Sequence, residues 1–255
     1  MSHRPATLAA FLVAAALVTR PAPGLAQSQS DECSAPPAAM ALGAPLNHTG
    51  ERLRDGLPVK IVAIGSSSTA GAGASDAAHS YPSQLAAALE RRFPHAAVTV
   101  LNKGVNGEET PNMLARFQRD VFDEHPDLVI WQTGSNEILR HGNPEYFAEE
   151  VGEGLRRLRA AGIETILMDA QFAPRILDNP DYATFNATLR RLAQRAKMAF
   201  LDRFEAMRHW LVRRQDGAPA MVGKDQVHMS DAGYYCVARL LATLIVADSP
   251  KIAAR

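Results

Sequence analysis

Five short apolar runs, separated by longer stretches of helical period, constrain this chain more than any other feature. They are "VKIVAI" (59–64), "AVTVLN" (97–102), "DLVIWQT" (127–133), "TILMDA" (165–170) and "MAFLD" (198–202). Each is a nearly continuous hydrophobic run rather than an alternating one, as strands require when helices cover both faces of a sheet. Between them, Leu85, Ala88, Leu89 and Phe93 stripe one helix. Phe147, Val151, Leu155 and Leu158 stripe another, with Gly162 as its C-terminal stop. Thr110-Pro111 reads as an N-cap followed by the first helical position. Strands alternating with helices need right-handed crossovers and lie parallel. The expected fold class is α/β, a three-layer α/β/α sandwich built on a five-stranded parallel sheet.

The ends of the chain are organised differently. "MSHR", the apolar stretch "ATLAAFLVAAALV" and the small-residue "TRPAPGLA" follow the order of a secretory signal peptide, residues 1–26, with cleavage expected after Ala26. The apolar run is shorter than the ~20 residues that span a bilayer, so no stable membrane insertion is expected. Residues 27–58 are rich in Ser, Pro, Ala and Gly without apolar period and read as an extended arm. Residues 59–255 form the α/β domain. Export to the periplasm or beyond makes Cys33 and Cys236, the two cysteines of the chain, candidates for one disulfide. Lys+Arg and Asp+Glu each total 27, so no excess positive field favours a nucleic-acid partner.

Ligands of such sheets bind beyond the carboxyl ends of the strands, which filters the candidates. His95 and His125 precede strands and lie at the wrong end, and His209 falls inside a helical segment. His79, His141 and His228 survive. His228 stands out because "KDQVHMSDAGYY" places Asp225 three residues before it, close enough in a turn to accept a hydrogen bond from the ring. The strand-end loops "GSSSTAG", "NKGVNGEE" and "GSNE" add hydroxyls, glycines and a side-chain amide. Each alone is ordinary turn chemistry. Together they supply what acyl transfer needs, namely a nucleophile, a base held by a carboxylate, and donors aimed at an oxyanion. Of the three serines, Ser66 belongs to the tight turn leaving the strand and Ser68 is expected to begin to face into the following segment, which favours Ser67. Neither a phosphate loop nor a dinucleotide fingerprint is present. Asp225, His228 and Cys236 lack the second clustered ligand that a metal site needs, so no metal and no cofactor are expected.

From about Lys60 to the final helix the chain resembles the SGNH hydrolases, also called the GDSL family. The blocks that carry the resemblance are Gly65-Ser66-Ser67-Ser68-Thr69, then Asn102 and Gly104 with Gly107 following, then Gly134-Ser135-Asn136-Glu137, and finally Asp225 with His228. Ser66 and Glu137 stand where the family pattern has Asp. The resemblance implies a flavodoxin-like fold, Ser67 as nucleophile, His228 as general base and Asp225 as the group that orients it. It also implies an oxyanion hole made of the Ser67 and Gly104 N–H groups and the Asn136 amide. The expected activity is that of a secreted esterase acting on small acyl esters such as O-acetyl groups. An acylated glycan and a lysophospholipid both stay open as substrates, with "HSYP" (79–82) and "QFAP" (171–174) expected to line the groove. An O-acyltransferase, or an inactive carbohydrate- or lipid-binding module on the same scaffold, are the alternatives.

Overall fold

The computed structural model describes residues 32–41, 43, 45–214, 216–217 and 220–247. The expected signal peptide and its cleavage site lie outside these residues. The five expected strands form as β2 (Val59–Gly65), β3 (Val98–Gly104), β4 (Leu128–Gln132), β5 (Glu164–Met168) and β6 (Ala199–Leu201). All five are parallel, in the order β3-β2-β4-β5-β6. β2 therefore has the next strand on one side and the one after that on the other. This reversal of order opens a crevice at its carboxyl end, and the serine triplet leaves the sheet there.

Side chains alternate across the strands and divide the core in two. Ile61, Ala63, Leu128, Ile130, Ile166 and Met168 face one layer, where Leu85 and Leu89 of helix Tyr81–Arg92 and Val237 and Leu241 of helix Asp231–Val246 pack. Val62, Ile64, Val129, Trp131, Leu167 and Phe200 face the other, against Val151 of helix Pro144–Ala160 and Phe185 of helix Tyr182–Ala196. The stripe Phe147, Val151, Leu155 and Leu158 is buried as its spacing predicts. Thr110 differs by one position. It is the first residue of helix Thr110–Ala115, whose cap is Glu109 in a reciprocal capping box with Asn112. The Thr110 hydroxyl is instead drawn to Thr133 and Glu137.

Two expectations for the N-terminal arm are corrected. The sheet has a sixth strand, β1 (Met40–Ala41), which pairs antiparallel with β6. The arm is also not extended throughout, because Asn47–Arg54 is a helix. The backbone N–H groups of His48 and Thr49 donate to the Glu164 carboxylate at 2.9 and 3.0 Å. The His48 ring meets Asp127 at 2.9 Å. Negative charge at a helix N-terminus is stabilising, and here it comes from Glu164 on β5 and from Asp127 in the bend before β4, 79 positions from His48. No local pattern in the arm could signal that.

Cys33 and Cys236 are joined in a disulfide that ties the arm to the last helix. The Trp210 indole adds a bond to the Ser34 carbonyl at 2.8 Å. The cysteines are 203 residues apart, so cross-linking them removes much chain entropy from the unfolded state, up to roughly 5 kcal/mol. Reduction, or the double substitution Cys33→Ser with Cys236→Ser, should lower Tm by several degrees in a calorimetric scan. Free thiols found in the unreduced, denatured protein would overturn this.

Candidate active site

The three serines of the opening loop have three different fates. Ser66 and Ser68 are buried, and Ser67 alone is partly exposed. The Ser66 N–H and hydroxyl both donate to Gln132 Oε1 at 3.1 Å, and the Ser68 hydroxyl is directed inward to Gln171. Ser67 opens the single-turn helix Ser67–Ala70, and its Oγ lies 2.8 Å from His228 Nε2. The other ring nitrogen, Nδ1, lies 2.5 Å from Asp225 Oδ2. Asp225 Oδ1 accepts from the N–H groups of Val227 and His228 at 3.0 Å each, so the turn that carries the carboxylate also aims the ring. A 161-residue separation closes into one hydrogen-bonded line. His79 stays apart, paired with Asp76, and His141 lies in an exposed turn.

These residues line a cleft of about 270 Å³ together with Asn106, Gly107, Asn136 and Arg175. Asn136 donates one amide hydrogen to the Glu108 carbonyl at 2.7 Å, which orients the side chain and leaves its second N–H for the cleft. Ser67 carries one of the first N–H groups of its helix, which have no partner within the helix. The Gly104 expectation is corrected. Its N–H donates to Asn102 Oδ1 at 2.9 Å, and it is not among the cleft-lining residues. Gly104 is a glycine for a different reason, since a Cβ there would sit 2.1 Å from the Ala70 nitrogen. Gly107, at φ +78°, lines the cleft in its place. The signal that could have found it is the second glycine of "GVNG", on the cleft side of the turn rather than at the strand end.

The expected groove lining is corrected as well. Gln171 is buried and points into a hydrogen-bond network. Tyr81 is buried against Thr69. Neither "HSYP" nor "QFAP" reaches the cleft, whose wall is instead made by Arg175 just beyond and by the Asn106-Gly107 turn.

A model of the Non-GDSL lipase-like family matches residues 32–250. The chain belongs to this family. An acetylxylan esterase of Geobacillus stearothermophilus is 26% identical over 172 residues, 62% of this chain and 77% of the relative. An arylesterase of Vibrio mimicus is 32% identical over 97 residues, 37% of this chain and 46% of that protein. Among solved structures, an α/β hydrolase enzyme from the metagenome of Lake Arreo, Spain, has a TM-score of 0.62 at 26% identity, over 74% of this chain and 97% of the other. A two-domain esterase active on acetylated mannans has a TM-score of 0.66 at 20% identity, a likeness of fold. It covers 80% of this chain, which spans 53% of that structure. The Non-GDSL lipase-like chain thus stands among carboxylic-ester hydrolases. Its two departures from the GDSL pattern are both buried and internally bonded, Ser66 to Gln132 and Glu137 to Thr110 at 2.6 and 2.5 Å.

Three carboxylates near the sheet edge differ by their surroundings. Burial alone would raise the Asp225 carboxyl, but hydrogen bonds from Val227 and His228 hold it below the usual range. Burial raises Glu137 despite its bonds from Thr110. Burial pushes Asp169 up to about 7 against the pull of Arg203, and its Oδ2 has no hydrogen-bond partner. The folded state thus holds a proton on Asp169 that an unfolded carboxyl of pKa ~3.9 would release. That contribution to stability is complete below pH ~4 and is lost as pH rises through about 7. Asp169→Asn should therefore raise Tm relative to wild type more at pH 8 than at pH 5. An equal change at both pH values, measured by thermal melts, would contradict this.

Proposed function

We propose that this chain is an exported serine esterase that removes small acyl groups, acetyl foremost, from an alcohol such as an acetylated glycan. The observation that carries the reading is the continuous line from Asp225 through His228 to Ser67 Oγ. In the proposed reaction Ser67 Oγ attacks the acyl carbon while His228 Nε2 takes its proton. The ionised Asp225 steadies the resulting imidazolium. The oxyanion receives the N–H groups of Ser67 and Gly107 and the free amide hydrogen of Asn136. His228 then returns the proton to the departing alcohol, leaving an acyl-Ser67 ester. Water, deprotonated by His228, attacks that ester; the bond from the acyl carbon to Ser67 Oγ breaks, His228 returns the proton to Oγ, and the acid leaves.

Preference for short acyl groups is supported by the size of the cleft, about 270 Å³, at the lower end for ligand pockets. A long lysophospholipid chain would project into solvent. The acetylxylan esterase among the relatives supports a glycan as the alcohol. Export is supported by the Cys33–Cys236 disulfide and by the order of residues 1–26. Among the described residues no helix is long and apolar enough to cross a membrane.

Ser67→Ala should abolish hydrolysis of an aryl acetate while leaving Tm within a degree or two of wild type, and Ser66→Ala and Ser68→Ala should keep turnover. Full activity in Ser67→Ala would end the reading. Asn136→Ala should lower kcat by roughly 10²–10³-fold through loss of one oxyanion donor. Acidification should lower kcat/KM in a single-proton step, because imidazolium cannot accept the Ser67 proton.

A further inference from the structure

Beneath the cleft, two glutamine amides and one serine hydroxyl form a buried chain that no part of the reaction above uses. Gln132, at the end of β4, accepts from the Ser66 N–H and hydroxyl and from the Thr69 hydroxyl, which flank Ser67. Its Nε2 donates to Ser135 Oγ at 3.3 Å. Ser135 Oγ donates to Gln171 Oε1 at 2.9 Å. Gln171 Nε2 then donates at 2.9 Å to the carbonyl of Val227, the residue before His228. The chain therefore runs from the turn that carries Ser67, past the residue beside Asn136, to the loop that carries His228.

Chemistry fixes the direction of every link. Arg203, fully buried, donates from Nη2 to Gln171 Oε1 at 3.0 Å and to Ser135 Oγ at 3.4 Å. A guanidinium can only donate, so the Gln171 oxygen must face it and the Gln171 nitrogen must face Val227. Ser135 Oγ has then given its one hydrogen and filled both lone pairs. Position 171 needs an acceptor toward Arg203 and a donor toward Val227 at once, which an amide supplies in one protonation state at every pH.

Resting on the esterase reading, we propose that Gln171 is a positioning residue: through the Gln132–Ser135–Gln171 chain it sets the distance between Ser67 and His228. The His228 loop is also held by local bonds such as Gly223 to His228 and Gln226 to Gly223, by the Arg175 N–H on the Gln226 carbonyl, and by Met229, fully buried in the core beside His228. The Val227 carbonyl, directly before His228, is its hydrogen-bonded tie to the end of β5. A displacement of about 1 Å at such a site can cost 10²-fold in rate, although no atom of Gln171 meets substrate.

Gln171→Glu separates position from stability. Assayed at about pH 9, where a carboxyl buried beside Arg203 is ionised, as Asp169 with its pKa of about 7 is, the introduced carboxylate keeps the acceptor for Arg203 but cannot donate to Val227 and repels that carbonyl. In an aryl acetate assay with wild type alongside, kcat should fall about 10–100-fold with KM within about 3-fold. Tm should fall by no more than a few degrees, the cost of one unmet buried carbonyl, with the unfolding transition still cooperative. Ser135→Ala, a small change, should lower kcat several-fold in the same pattern. Diethyl pyrocarbonate modification of His228, followed by mass spectrometry, reads the loop whether or not an ester is turned over, and should run faster in Gln171→Glu. Wild-type kcat and wild-type modification rate in both variants would overturn the proposal. So would losses of kcat that track a falling Tm and a rising KM, since Gln171 would then be a structural residue only. Absence of wild-type esterase activity would instead sink the functional reading, and the His228 modification rate alone would decide the position of the loop.

Discussion

Three donors from one turn converge on the side-chain oxygen of Gln132, and the arrangement of the site follows from that convergence. Gln132 is fully buried at the carboxyl end of a central strand, where an unmet amide would cost about 1–3 kcal/mol. The turn leaving β2 must supply those donors, and doing so spends Ser66 and Thr69. With the Ser68 hydroxyl directed to Gln171, only Ser67 of the three adjacent serines is left to face the cleft. The close approach that permits this geometry is made at Gly104, where the end of β3 runs against the backbone of the Ser67 helix.

Electrostatics in the site is governed by unequal burial. Asp225 is about half exposed, 47% for its side chain, and is bonded by two backbone N–H groups, so it stays ionised beside His228. Asp169 has the same chemistry but no exposure, and it is pushed the other way. A carboxylate that stays ionised beside a histidine belongs at the rim, where hydrogen bonds outweigh desolvation. The buried cation Arg203 is correspondingly used for hydrogen bonding, to the Asp169 carbonyl, Gln171 and Ser135.

The arm and the last helix form a second unit of constraint. The disulfide holds Cys33 to the helix that follows the His228 loop, and β1 completes the β6 edge of the sheet. An open strand edge invites pairing with another chain, and here the protein's own arm covers it.

The sequence by itself determined the layered fold, because apolar runs buried on both faces and stripes at helical spacing have only one economical packing. It also determined which residue types meet at the carboxyl edge, since Ser67, Asn136, Asp225 and His228 all follow strands or sit in the turn before the last helix. Only the tertiary structure decided the rest. Gly107 rather than Gly104 borders the cleft because Asn102 captures the Gly104 N–H, a contact that depends on how the turn folds back. Gln171 turned inward because Arg203 and Val227, 32 and 56 residues along the chain, need an amide between them. The helix at Asn47–Arg54 formed because Glu164 accepts from its first N–H groups across the sheet. In the last two cases a buried or terminal polar group took its partner from a distant part of the chain, and polar satisfaction of that kind leaves no period for a sequence to display.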